Sequence, residues 1–189
     1  MAPKVLALHY LLTLTITLIL TFSSAGSHSF ATKSSRAALG LKEEKITHLH
    51  FYMHDVFGGP KATAIPVTKV LDNNTFYGGL YMADDPLTLG PRRDSKPVGN
   101  GGGTYAFPSP KDFVLEMNYN LGFTHGDYNG SSLCLMGRIA PKSIVNEMAI
   151  VGGTGVFRFA SGYAVTKRVV LDFKAQVVVR EFNVYVSHY

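Results

Sequence analysis

Residues 113 to 124, Phe113-Val114-Leu115-Glu116-Met117-Asn118-Tyr119-Asn120-Leu121-Gly122-Phe123-Thr124, decide the fold class. Phe113, Leu115, Met117, Tyr119, Leu121 and Phe123 share one parity. Glu116, Asn118, Asn120, Gly122 and Thr124 share the other, and only Val114 breaks the pattern. A strand turns successive side chains to opposite faces, so a period of two over this length predicts a half-buried β-strand. Working outward, further strands are expected at 46–57, 62–71, 76–83, 104–107, 131–138, 162–172 and 174–185. Turn-rich stretches such as Gly58-Gly59-Pro60, Asp72-Asn73-Asn74 and 127–130 separate them. Eight strands with short connections predict an all-β fold, an eight-stranded antiparallel β-barrel that closes its own edges and keeps room inside for one small ligand. A sandwich is the alternative. The glycine stretches 99–103 and 152–155 lack the Lys-Ser/Thr of a phosphate loop and read as turns at barrel rims.

Composition agrees. The chain has 189 residues, of which 46% are hydrophobic and 16% charged, and it carries 19 Gly and 9 Pro. That is too apolar for disorder and too rich in turn formers for a helical bundle. A single cysteine, Cys134, excludes an internal disulfide and a multi-cysteine zinc site, and in an apolar strand it reads as buried filler. No serine sits in a Gly-x-Ser-x-Gly elbow, so a serine hydrolase is unsupported.

The first 25 residues read as a secretory signal. Lys4 precedes an apolar run from Val5 to Phe22, and Ser23-Ser24-Ala25 supplies small residues for cleavage. Residues 26–44 lack periodicity and read as a mobile N-terminal arm, leaving 45–189 as the barrel domain. Two sequons, at Asn73 and Asn129, fall among turn residues and are candidate glycosylation sites. Together these features predict a secreted, extracellular protein with no membrane attachment once the signal is cleaved. The net charge, +5 for the full chain and 5 − 1 = +4 once Lys4 leaves with the signal, then points to acidic extracellular surfaces; no basic cluster interleaved with aromatics suggests nucleic acid.

Chemistry concentrates in the first strand. Its odd positions are Thr47, Leu49, Phe51, Met53, Asp55 and Phe57, so Asp55 shares the face of the apolar residues that must point inward. A desolvated carboxylate has a raised pKa and suits general acid or base work, although an aspartate bonded to a turn amide at the strand end is the plainer reading. His48, His50 and His54 take the other parity, which sends them to solvent or a subunit contact rather than to a metal. Strands 131–136 and 176–186 are apolar on both faces, the latter with a parity change or bulge near Arg180-Glu181. Such strands suggest partner subunits, a homo-oligomer of two or three copies.

Several strings of this chain are similar to motifs of the plant dirigent proteins: His50 to Asp55 (HFYMHD), Met82 to Thr88 (MADDPLT), Tyr128 to Leu133 (YNGSSL) with Gly137-Arg138 following, and Glu147 to Ala164 (EMAIVGGTGVFRFASGYA). The resemblance spans about residues 45 to 189. It implies an eight-stranded barrel that assembles as a homo-oligomer and requires no cofactor and no metal. It implies that phenoxy radicals of monolignols such as coniferyl alcohol, made by a separate laccase or peroxidase, are held so that their coupling gives optically active lignans, with no oxidase activity of the protein's own. The alternative it implies is a dirigent-type cyclase or dehydratase acting on a phenolic quinone-methide precursor, or a scaffold in the lignifying wall. By this resemblance Asp55 matches a pocket aspartate serving as acid, and Tyr105 a pocket tyrosine. Phe51, Met53, Asp84 and Asp85 complete the candidate substrate-binding set, although Asp84-Asp85-Pro86 is also a natural turn. The chain departs from lignan-forming members by carrying Val156 where an acid is common and Ser161 where an arginine is common. It also has 99–103 (GNGGG) in place of a Gly-Arg-Ala-Gln-Gly stretch, and it lacks a cysteine pair. Arg158 is the candidate replacement cation, provided its loop turns it inward.

Overall fold

The computed structural model describes residues 30–189; the expected signal segment 1–25 and the first residues of the arm lie outside them. Residues 30–40 contain one short turn, in which the Ala38 amide donates to Ser35 Oγ. The larger unit, Leu41–Tyr189, is an eight-stranded antiparallel barrel. Its elements are β1 (Lys45–Val56), β2 (Ala64–Pro66), β3 (Leu80–Thr88), β4 (Pro97–Ala106), β5 (Leu115–Phe123), β6 (Ser132–Ile139), β7 (Val145–Thr154), β8 (Ser161–Asp172) and β9 (Val177–His188). The sheet runs β1-β9-β8-β7-β6-β5-β4-β3-β2, and β1 also pairs with β3 to close the barrel, leaving β2 as a short strip outside the ring. That closure uses only Tyr52 opposite Thr88 and Met53 opposite Leu87.

Eight strands were expected, but they are not the same eight. The expected strand at 62–71 shrinks to three residues, and 76–83 moves forward to Leu80–Thr88. The barrel strand Val145–Thr154 takes the vacated place. It escaped notice because Met148-Ala149-Ile150-Val151 is apolar on both faces and shows no alternation. Residues 99–103 are not a rim turn either; they lie inside β4, paired with both β3 and β5. Glycine is required there because a Cβ on Gly103 would lie 2.0 Å from the Asn118 carbonyl, and one on Gly101 would press on Leu121, Tyr119 and Met53 inside the bore.

Pro86 sits within β3 where a turn was expected. The Asp84 amide, two residues back on the same edge, donates to the Thr63 carbonyl. Pro86 falls between the residues that pair with β2 (Tyr81–Ala83) and those that pair with β1 (Leu87, Thr88), so its missing N–H breaks no ladder bond.

The bore is filled at one end and hollow at the other. Phe51 stacks on Phe182 at 5.3 Å and meets Phe123, which in turn meets Phe157. His188 closes this end, sharing a hydrogen bond with Thr47 Oγ1 (2.9 Å) and donating from Nδ1 to the Val156 carbonyl (2.9 Å). The opposite end, where β1, β4 and β8 finish and β3, β5 and β9 begin, is the open one.

Candidate functional site

The open end is a cavity that communicates with solvent at its mouth. Its walls are almost wholly apolar and aromatic. Tyr81 stacks on Tyr105 (4.9 Å), and Phe107 stacks on Phe113 (5.8 Å) with Phe76 against both. Phe76 holds φ 60°, a left-handed conformation that a bulky side chain adopts only when its surroundings fix it. A second recess at the other end, near His48, Leu89, Val98 and Tyr128, contains no carboxylate.

Strand parity places Asp55 inward, on the cavity wall, beside Met53. Tyr105, from β4, donates its hydroxyl to one carboxyl oxygen of Asp55, while the other oxygen, Oδ1, has no partner. Burial first, and then the charge of Asp85, push the Asp55 pKa up to about 8; the Tyr105 bond and Arg180 pull the other way. Asp85 lies behind the wall with 0% exposure. It accepts from Thr63 Oγ1 (2.7 Å) and Tyr119 OH (2.9 Å). Burial raises its pKa to about 6, against the lowering effect of those two bonds. Both tyrosines are driven well above their ordinary range by burial and by the aspartates, so they stay protonated donors. The result is a pair of acids with separated affinities, the one on the cavity kept protonated by its burial and, after that, by the charge behind it.

Not every expected residue arrives. Phe51 is packed in the filled half and does not line the cavity. Asp84 faces outward, accepting from Asn100 Nδ2 at 3.1 Å, because parity on β3 gives the inner face to Asp85. Asn73 and Asn129 are both exposed on turns. His48 and His50 point outward and meet Asn183 (3.0 Å) and Glu181 (2.8 Å) on β9. His54, expected outside as well, is only 2% exposed, with Nε2 sharing a hydrogen bond with Thr88 Oγ1 at 2.7 Å. It is the β1–β3 closure beside it that brings Thr88 over this outer face. Cys134 likewise turns outward and is half-buried, not a core filler. Among the described residues no group of three His, Cys, Asp or Glu side chains gathers as a metal site would need.

A model of the family described as Dirigent-like protein matches residues 46–187. The chain belongs to the dirigent family. Pterocarpan synthase 1 of Glycyrrhiza echinata is 40% identical over 180 residues, 93% of this chain and 96% of that one. Dirigent protein 1 of Arabidopsis thaliana is 46% identical over 152 residues, 79% of this chain and 82% of that one. The solved structure of a pterocarpan synthase dirigent protein superposes with a TM-score of 0.74 at 43% identity, covering 78% of this chain and 87% of that one.

Within this dirigent barrel two of the departures noted in the sequence, Val156 and Ser161, lie at the filled end, away from the cavity. Arg158 is exposed and does not enter the bore. The cavity's cations are instead Arg168 and Arg180. The sequence reading does not single out Arg168, on β8, and it misses Arg180 because it assigns a parity change to β9. That strand in fact alternates without interruption from Val178 to His188, even positions inward, and the bulge lies across from it on β8, between Arg168 and Val170. The signal was present: Arg180 shares parity with Phe182, Val184 and Val186.

Proposed function

We propose that this dirigent protein is a cyclase or dehydratase of phenolic substrates that works through a quinone methide. The observation that carries the reading is the Asp55 carboxyl, protonated near neutral pH and with one oxygen unpartnered, on the wall of an aromatic cavity open at one end. Asp55 gives its proton to a benzylic hydroxyl as the C–O bond breaks, water leaves, and the ring, its phenolic proton passing to solvent, becomes a quinone methide. A second phenolic hydroxyl of the same substrate adds to the methide carbon and returns its proton to Asp55, while the methide oxygen regains a proton from solvent. Tyr105 orients the carboxyl, burial and the charge of Asp85 keep it protonated, and Met53 and the aromatic walls grip the rings in the geometry for closure. The pterocarpan synthases among its relatives support a ring-closing role.

Guided coupling of phenoxy radicals supplied by a laccase or peroxidase is the second reading. The face-to-face rings of the cavity would suit a planar radical equally well. One assay separates them. The chain without its first 25 residues is incubated with an isoflavanol bearing a free phenol, and separately with laccase and coniferyl alcohol, and products are resolved by chiral chromatography. Ring-closed product with no oxidase present is expected. Absence of turnover together with an optically active lignan in the laccase arm would overturn the cyclase in favour of coupling; racemic lignan and no turnover would leave only a scaffold role.

The same proposal includes secretion after loss of residues 1–25 and glycans on Asn73 and Asn129. It also includes a homo-oligomer that covers the outward Met136, Val151 and Tyr163, each at least 44% exposed in the single chain.

A further inference from the structure

Arg180 is the strangest occupant of the cavity. It is 6% exposed, lines the open space, and its Nη1 is buried without a hydrogen-bond partner. Among the described residues no side chain accepts a hydrogen bond from that Nη1 atom. From β8, Arg168 stands directly opposite it in register, and the Arg168 Nη1 is spent on the Pro141 carbonyl. From β1, Asp55 is the diagonal neighbour, since Met53 pairs with Arg180 and Asp55 with Val178. Asp55 Oδ1 is nevertheless unpartnered, and among the described residues no ion pair joins the two. Tyr81 and Tyr105 complete the polar lining from β3 and β4. A desolvated guanidinium with an idle donor is costly to keep in an apolar bore unless something occupies that donor during function. Burial and the like charge of Arg168 bring its pKa down to about 10, so it is still a cation at neutral pH. Asp55, being protonated there, leaves the positive charge unneutralised.

We propose that Arg180, with Arg168 beside it, is an oxyanion-binding residue that holds the substrate's phenolic oxygen as the phenolate while Asp55 addresses the benzylic carbon. The inference rests on the phenolic reading above and deepens it. The phenol proton passes to water on binding. The phenolate electron pair then pushes into the ring, the benzylic C–O bond breaks, and the Asp55 proton leaves with the hydroxyl as water. When the second phenol adds to the methide carbon, its proton goes to Asp55. The electron pair returns to the oxygen held by Arg180, which takes a proton from solvent on release. Acid and cation thus act on opposite ends of one conjugated system, and each has one buried atom without a hydrogen-bond partner.

The test uses 4-nitrophenol, which cannot cyclise, so its result is independent of turnover. Bound to the wild-type chain it is expected to show its phenolate absorption band below the pH at which the free probe ionises. Arg180→Met should abolish that shift and weaken binding at high pH by about 10- to 100-fold, the scale of a hydrogen bond to a charged group. Arg180→Lys, a cation without the fork, should restore it in part. Circular dichroism melting confirms that each variant is folded. A neutral bound probe in the wild type, or ionised probe bound equally by Arg180→Met, would overturn the proposal. So would benzoate that binds as tightly and with the same dependence on Arg180, because the site would then select carboxylates rather than phenolates. If the probe ionises as expected while no phenolic turns over, Arg180 keeps its role and the cyclase reading fails.

Discussion

Asp55 works as an acid only while it carries its proton, and burial, followed by the charge of Asp85, keeps the proton there. Raised by burial and by that neighbouring charge to about 8, Asp55 should give a kcat/KM profile that is flat near neutral pH and falls as pH rises through that value. Replacing Asp85 with Asn removes the negative charge, lowers the Asp55 pKa, and should move the falling limb to lower pH. Asp55→Asn should lose about 100-fold or more in rate at all pH values. A profile unmoved by Asp85→Asn would mean that the two carboxyls do not communicate. At this scale the sequence was half legible. Parity alone sent Asp55 inward, and the same rule applied to β3 would have separated Asp85 from Asp84. It could not show Tyr119 reaching Asp85 from β5, since only the register of β3, β4 and β5 brings residues 34 positions apart to 2.9 Å.

Among the elements, β4 is the one whose sequence misleads, because glycine ordinarily weakens a strand and marks a turn. Here the glycines let the backbones of β4 and β5 approach. The two neighbours Gly102 and Gly103 provide a matched pair. A Cβ at Gly103 meets the Asn118 carbonyl at 2.0 Å, whereas one at Gly102 meets nothing closer than 3.9 Å. Gly103→Ala should therefore cost about 3 kcal/mol, as forced overpacking does, while Gly102→Ala should stay within about 0.5 kcal/mol of wild type. Urea unfolding midpoints read both, and equal losses would show that the strand needs glycine for flexibility and not for clearance. β7 and β9 illustrate the converse failure. Both carry apolar residues outside as well as in, so hydrophobicity alone cannot tell their faces apart, and parity must be anchored by a neighbour.

For the whole molecule, the buried acids set an unusual pH dependence. Asp55 and Asp85 bind protons more tightly when folded than at their ordinary value of 3.8. Their contribution to stability is therefore complete below about pH 4 and is lost as pH rises through about 6 and then about 8. His54, buried and with its pKa lowered first by burial and then by Arg93, acts in the opposite sense: its contribution is present above 6.5 and lost as pH falls below it. Asp55→Asn should raise thermal stability at pH 8 by about 1–2 kcal/mol and change it far less at pH 4, a gain of the kind seen when an active-site strain is released. An equal gain at both pH values would mean that Asp55 is not held protonated by the fold.

The sequence by itself determined the strand period, the antiparallel barrel, the family and the inward aspartate, because all four follow from local alternation and contiguous motifs. Tertiary structure decided which half of the bore is filled, that Asp85 backs Asp55, and that Arg168 and Arg180 are the cavity's cations. Those facts depend on register between strands distant in the chain, and on a bulge in one strand that keeps its partner's parity intact.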